Sequence, residues 1–517
     1  MSRLFKATMI VTIFSVLTRA LGFVLRIILS RALGAESLGY YQVSMSVLGV
    51  LMTLIASGIP LVISRSVANK KASGEQLSAY KTTTAGLIVS LVLSVIVCLV
   101  IYLFPQVLNL IYKQNLTTSI VFFALPSLVF SAVYCALRSA LWGDKHFFAI
   151  SFTEFFEQVV RIILCFVLLY FPVLTNIGLA EKAALSLSIA CLLSSLLVVI
   201  IYYALKQKLV WPKGHIKPLI KASTPITALR TISSVVSTLI SIIIPIRLAK
   251  FGFSSSQAMA EYGTMMGMAF PLIMIPGTLI GSLAVTLVPE ISSKTDNIDQ
   301  KHGSIDLKGL KSHVSLGFNM SALIAAILLP AFIVLAEPIC QILFNSKEAG
   351  EYVQKAAILM IPMGLSQISS SMLNSIGLEL KSLIGYVVGA SLLFVSIYFL
   401  PKYIGTNALI VGMGVLWISM LVFNICMLKK RKLLDSSFLK TIGLVLVFSL
   451  FAGLLTWFIY RLLIGFCGLI ISTCVCGIIS VVSMILLYWI FDVAGFRGFL
   501  VLKNKKSFKK TKIVKTT

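Results

Sequence analysis

At 517 residues, 58% of them hydrophobic and only 12% charged, with a mean hydropathy of +1.01, the chain cannot be a soluble protein. Soluble domains carry about twice that charged fraction. A net charge of +27 would suit a nucleic-acid binder, but the cations collect in alternate loops between apolar segments, which excludes that class.

A bilayer span needs about 20 apolar residues. The sequence predicts fourteen, near 8–30, 38–60, 83–104, 119–142, 149–171, 182–205, 225–249, 263–288, 314–336, 354–377, 382–400, 405–428, 439–460 and 467–491. The expected class is therefore an all-α polytopic membrane protein. Arg3 and Lys6 precede the first apolar run as in a signal peptide, but the run continues past Arg19 and Arg26 without a small-residue cleavage site. It reads as a retained first span.

Fourteen spans put both termini on one side. Of the 44 Lys and Arg, 30 fall on that side and 7 on the other (Arg31, Lys113, Lys182, Lys250, Lys347, Lys402 and Arg461). By the positive-inside rule both termini are expected in the cytoplasm of a cell membrane. The basic excess then reflects orientation and contact with anionic headgroups.

The longest inside connections, 206–224 and 289–313, are polar linkers too short for a folded domain. The first separates two six-span halves, so the expected organisation is 1–206, a linker at 207–224, then 225–428. Two further spans follow within 429–491, with a basic cytoplasmic tail at 492–517. The halves repeat weakly: the stretch ending span one, with Arg31, Leu33, Gly34 and Gly39-Tyr40, resembles that ending span seven, with Arg247, Leu248, Gly252 and Tyr262-Gly263. A parallel duplication places a substrate site between the halves. Prolines inside the spans, among them Pro60, Pro126, Pro245, Pro271, Pro276, Pro330 and Pro362, mark kinks that membrane helices tolerate beside protein or water.

Seven cations remain within or at the edge of spans: Arg19, Arg26, Arg138, Arg161, Arg230, Arg247 and Lys355. Against them stand Glu154 and Glu157 alone. A charge at mid-bilayer costs at least ~2.5–3.5 kcal/mol, so the surplus points to an anionic substrate. Arg19 and Arg26 are seven apart, on one helix face about 10 Å from each other. Guanidinium groups grip phosphate oxygens in bidentate fashion, so the pair suits a diphosphate; the alternative is that either one snorkels to a headgroup. Glu157 and Arg161, an i,i+4 pair, are expected to neutralise one another in the cavity wall. Arg230 has no obvious local acid, Arg65 stands at the inner mouth of span two, and Arg138, Arg247 and Lys355 read as interfacial. Six of the seven lie in spans one to seven. A cationic lobe facing an apolar one would suit an amphiphile with a charged head and a lipid tail.

The nine cysteines lie in or beside spans without metal-ligand spacing, and the four histidines fall in inside loops. No metal or cofactor is expected.

TRALGFVLR at 18–26 resembles the opening signature of the lipid II flippases and related polysaccharide flippases. SGIPLVISRSVA at 57–68 and ALRSALWGD and FTEFFEQVVRI within 136–162 are similar to the stage V sporulation protein B family. So is the block 222–292, with IPIRLAKFG and EYGTMMGMAFPLIMIPGTLIG. The resemblance covers essentially the whole chain. It implies the multidrug/oligosaccharidyl-lipid/polysaccharide exporter superfamily, with two six-helix bundles around a central cavity and here two added C-terminal helices. It also implies movement of undecaprenyl-diphosphate-linked sugars from the inner to the outer leaflet, in peptidoglycan assembly during sporulation. Arg19 corresponds to a cavity arginine of the lipid II flippases, Arg26 is offset by one position, and Arg65 and Arg230 match approximately. The expected substrate-binding set is Arg19, Arg26, Arg65 and Arg230. The expected partners are a lipid-linked sugar diphosphate, the bilayer and envelope glycan-synthesis enzymes, with the protein acting as a monomer.

Two rivals remain. A cation-coupled drug exporter of the same fold calls for an acid in the cavity, and span one has none. A membrane-bound glycan polymerase or ligase calls for acids or histidine in sizeable outer loops; the best here, 337–353, offers Glu337, Glu348 and Glu351. A non-transporting scaffold leaves the embedded arginines unexplained.

Overall fold

The computed structural model describes residues 3–106, 115–284, 287, 291, 307–434 and 437–497. Residues 498–517 of the basic tail expected over 492–517 and most of the connection 289–313 lie outside the described residues, as do Lys113 and His302.

Among the described residues the regular structure is helical, with no strand. The first unit contains α1 (Arg3–Ala56), α2 (Gly58–Ala72), α3 (Gln76–Leu103), α4 (Asn115–Ala124), α5 (Pro126–Gly143), α6 (Phe147–Tyr170), α7 (Leu179–Ala204), α8 (Ile216–Lys250) and α9 (Ser255–Gly263). A π-helical turn, Thr264–Ala269, follows, and then α10 (Phe270–Ile273) and α11 (Ile275–Ala284). The second unit continues with α12 (Leu307–Ala326), α13 (Leu329–Val334), α14 (Ala336–Phe344), α15 (Lys347–Ala356), α16 (Met360–Ser375), α17 (Glu379–Phe399), α18 (Pro401–Ile404), α19 (Asn407–Lys430) and α20 (Ser437–Ile490).

Among the described residues ten helices are long and apolar enough to cross a membrane, or eleven if the bent pair Ser255–Ile273 and Ile275–Ala284 is one span. The sequence led to fourteen, and the difference has local causes. Helices α1 and α20 are each broken by a glycine with positive φ, Gly34 (71°) and Gly468 (69°), so each joins two expected spans. Helix α6 has a span's length, but Glu154, Glu157 and Arg161 make it too charged to be counted. The bent pair turns by 47° just before Pro276, whose ring excludes a helical carbonyl four residues back.

By packing, the chain divides into Met1–Met268 and Ala269–Thr517. The division falls beyond the expected linker at 207–224, because α8 packs with the first unit. Thr238 Oγ1 donates to the Ser46 carbonyl at 2.8 Å, and Gly58 meets α8 so closely that a Cβ would lie 2.3 Å from Thr227 Oγ1. The two resembling stretches also meet. A Cβ on Gly39 would stand 2.1 Å from the Met259 carbonyl, and one on Gly263 2.0 Å from that of Ala35. The glycines that end the preceding helices, Gly34 and Gly252, both have positive φ, a backbone conformation that glycine adopts without a steric penalty. A capping box of Ser254 with Gln257 then starts α9.

The core of the first unit gathers Ile59, Ile63, Leu137, Leu141, Ile150 and Tyr202 between α2, α3, α5 and α7. At the end of α5, Asp144 accepts from Lys71 at 2.7 Å, His146 at 3.0 Å and Gln207 at 2.8 Å, tying α2, the α5–α6 turn and the end of α7. In the second unit Gly389 packs against the Leu416 backbone, and Asn424 donates to Ser369 at 3.0 Å and Ser370 at 2.9 Å. Helix α20 leaves Leu450, Phe451, Leu454, Phe458 and Ile478 exposed, a surface whose natural solvent is lipid.

Two stability outcomes follow. Gly39→Ala should destabilise the detergent-solubilised protein by about 1–3 kcal/mol, because its Cβ meets backbone that no rotamer change can move. Gly22→Ala, whose Cβ would meet nothing within 4 Å, is the control in the same thermal-unfolding assay. Asp144→Ala should cost about 1–3 kcal/mol, since three donors lose their shared acceptor; an unchanged melting temperature would remove Asp144 as a tie.

Candidate functional site

Ser15, Thr18, Arg19, Gly22 and Arg26 follow one another at three-, four- and seven-residue steps, so they form a single stripe on α1. Phe14 seats this helix on α6, with edge-to-face contacts to Phe148 and Phe155 at 5.9 and 5.7 Å between ring centroids. Beside this contact lies a cavity of about 300 Å³, lined by Ser15, Thr18, Arg19, Tyr134, Glu154, Glu157 and Gln158. Helices α1, α5 and α6 all contribute to it. One turn beyond Arg19, the surface over Gly22 is open.

The charges around it are not paired as the sequence suggested. The close ion pair is Arg138–Glu154, between neighbouring helices. The tight turn at Asp144–His146 folds α6 back along α5 and brings these two residues level. Arg138, read from the sequence as interfacial, is thus engaged between two helices, and its Nε is buried without a hydrogen-bond partner. Arg161 was expected to pair with Glu157. Its guanidinium instead donates from Nη2 to Tyr41 Oη at 3.1 Å. Glu157 stays within electrostatic range of Arg161, Arg138 and Glu154 and faces the cavity with Arg19. Arg26 lies within electrostatic range of Arg161 and Tyr41.

Of the four expected substrate-binding residues, Arg19 lines this cavity, and Arg26 follows on the same α1 stripe. Arg230 is on α8 and donates from Nη1 to the Ser57 carbonyl at 3.4 Å, at the break between α1 and α2. Arg65 is exposed on α2. Neither lines the cavity. At the edges, Arg247 stacks on Phe251 at 4.9 Å and Lys355 pairs with Glu351 at 3.2 Å. Sequence reasoning missed Tyr41, Tyr134, Thr18 and Gln158. The signal for Thr18 was its place beside Arg19 on one helical stripe; the others reach the cluster only through helix packing. Among the described residues no three His, Cys, Asp or Glu gather as metal ligands.

The family model for polysaccharide biosynthesis proteins matches residues 4–294, more than half of the chain and every residue of this cavity. The chain belongs to that family. It is 26% identical over 405 residues to the stage V sporulation protein B of Bacillus subtilis (strain 168), an alignment covering 75% of this chain and 77% of the relative. It is 23% identical over 371 residues to sporulation protein YkvU of the same organism, covering 68% and 78%. Among solved structures, the lipid II flippase MurJ in an inward closed conformation superposes with a TM-score of 0.68 at 15% identity, covering 95% of this chain and all of MurJ. An inward-facing multidrug resistance MATE family transporter of the MOP superfamily gives 0.65 at 14% identity, covering 82% and 96%. The fold is therefore the one these two multi-pass membrane transporters share.

The pair at the cavity wall has a testable energy. Glu154→Gln should destabilise the protein by about 1–3 kcal/mol by leaving the Arg138 charge without its counter-ion. That is less than a fully buried pair would lose, because the two side chains are 31% and 36% exposed. The double variant with Arg138→Met should recover most of the loss in a double-mutant cycle of unfolding midpoints.

Proposed function

We propose that the protein is a flippase that carries an undecaprenyl-diphosphate-linked oligosaccharide, a lipid II-like peptidoglycan precursor, from the inner to the outer leaflet by alternating access. One observation carries this reading: around the α1–α5–α6 cavity four arginines, Arg19, Arg26, Arg138 and Arg161, stand against two glutamates, Glu154 and Glu157. The local sum of +2 has use for a diphosphate. Arg19, at the cavity wall, is the main grip, with Arg26 beside it and Arg230 and Arg65 helping elsewhere in the unit. Family membership, the likeness to the lipid II flippase MurJ and the sporulation relatives support the same choice. Both termini are assigned to the cytoplasm from the distribution of Lys and Arg. With the interior negative, each net anionic charge carried outward gains ~2.3 kcal/mol per 100 mV, so export can run on the potential.

A charge-assisted hydrogen bond to phosphate is worth about 1.5–3 kcal/mol. Arg19→Ala protein in proteoliposomes should therefore flip fluorescent lipid II about 10–150-fold more slowly, with Arg19→Lys between. Flipping at the wild-type rate would remove the diphosphate grip from Arg19.

The second reading is a cation-coupled exporter of small molecules. It is favoured by Glu157 and Glu154 in the cavity wall, acids that such a carrier needs, and by the MATE-like fold. Uptake of a cationic dye driven by a sodium or proton gradient, and abolished by Glu157→Gln, would establish it; flipping that persists without either gradient would dismiss it.

A further inference from the structure

Helix α8 carries a second feature, away from the arginine cavity. Its beginning and the turn before it form a cavity of about 600 Å³ lined by Trp211, Lys213, Gly214, Lys217, Ile220 and Lys221, among others, with no acid in the wall. Trp211 is 77% exposed. Ile220 is shared with a second cavity of about 580 Å³, which continues along the same helix. There Thr224, Thr227, Ala228, Thr231 and Val235 face Leu54, Ile59, Val89 and Leu93 of α1, α2 and α3. Lys217, Lys221, Thr224, Ala228, Thr231 and Val235 follow at three- and four-residue steps, so one helix face changes from basic to apolar. From Lys217 to Val236 it runs about 28 Å, close to the thickness of the hydrocarbon core. Two of the groove's hydroxyls are satisfied within the helix, since Ser223 and Thr224 both donate back to the Ile220 carbonyl, at 3.2 and 2.7 Å.

Resting on the flippase reading, we infer that this face is the loading site for the prenyl diphosphate lipid. The diphosphate sits on Lys213, Lys217 and Lys221, and the first isoprene units lie in the groove between α8 and α3. Charge complementarity selects the occupant. Three lysines without an acid exceed the single charge of a phospholipid phosphodiester and match a diphosphate. Trp211 is placed as an interfacial anchor, where its amphipathic ring belongs. A lipid captured here from the inner leaflet has its head held before it reaches Arg19, on the same unit.

The test uses the full-length protein in phosphatidylcholine nanodiscs, with undecaprenyl diphosphate as probe and photocrosslinking from Thr224→p-benzoylphenylalanine. The expected result is a crosslink reduced at least 10-fold by combined Lys213→Gln, Lys217→Gln and Lys221→Gln. Val235→Trp, which fills the groove, should reduce it similarly, and Arg19→Gln should leave it unchanged. A crosslink indifferent to both the lysine and groove variants overturns the site. Displacement by phosphatidylglycerol at equal concentration also overturns it, in favour of a bulk anionic lipid. Loss of the crosslink in Arg19→Gln would mean that the lipid reaches α8 only through the arginine cavity, which overturns the loading role. The flippase reading itself fails separately, if the wild-type protein in proteoliposomes does not flip fluorescent lipid II.

Discussion

A guanidinium inside a bilayer has no bulk water to turn to, and the first unit is arranged around that constraint. Three of the embedded arginines there take a partner from a different helix or from the protein's own backbone: Arg138 from Glu154, Arg161 from Tyr41 and Arg230 from the Ser57 carbonyl. These contacts tie α1, α5, α6 and α8 together, where apolar side chains alone give little directional preference against lipid. Arg161 shows the logic. A neutral tyrosine hydroxyl satisfies one of its donors without cancelling its charge, so the positive potential of the cluster persists near Arg26 and the cavity. Arg138, by contrast, is neutralised and serves structure. The same residue type is used in two ways, and the partner decides which.

The close helix contacts serve a related end. Gly39 and Gly263 let α1 and α9 approach until backbone touches backbone, which is how membrane helices gain packing energy without a hydrophobic driving force. These contacts lie just past Gly34 and Gly252, where the chain takes positive φ. Each matched stretch therefore couples a helix stop to a tight crossing a few residues later. Helix α8, with Pro225 and Pro245 inside it, runs beside both. A rigid crossing next to a proline-bearing helix is a combination that permits bending at defined places while the charge cluster keeps its geometry.

Much of this was legible in the sequence. Apolar run lengths located the membrane segments, and Gly34 ending a helix could be read from its place between two of them. Arg19 could be singled out because it is an arginine near the middle of the first span. The pairing of charges could not be read, and the reason is geometric. Glu157 and Arg161 satisfy the i,i+4 rule, but that rule is a statement about an isolated helix. In the folded unit Arg138 reaches Glu154 from α5 and Tyr41 reaches Arg161 from α1, contacts set by helix packing that no single-helix rule contains. The unit boundary was likewise hidden. Residues 207–224 look like a linker by composition, yet α8 begins at Ile216 and packs backwards onto Gly58 and Ser46. The family match, which ends at residue 294, shows no break at this linker either.

The choice of cation also bears on what the cluster is for. The chain has 12 arginines and 32 lysines, and of the seven embedded cations six are arginine. If these charges were only residual surface cations pulled inward, lysine would dominate them as it dominates the chain. Lysine readily loses its proton when desolvated, whereas arginine stays charged and offers five donors in a fixed fork. A protein that needed only to tolerate a polar group at these positions would be served as well by a neutralised lysine. One that must present a permanent positive charge in a low-dielectric wall needs arginine. The lysines meanwhile gather where water and headgroups reach, as at Lys213, Lys217 and Lys221, where a flexible point charge can follow a mobile headgroup. The two cations thus divide by environment: lysine where water reaches and arginine among the packed helices.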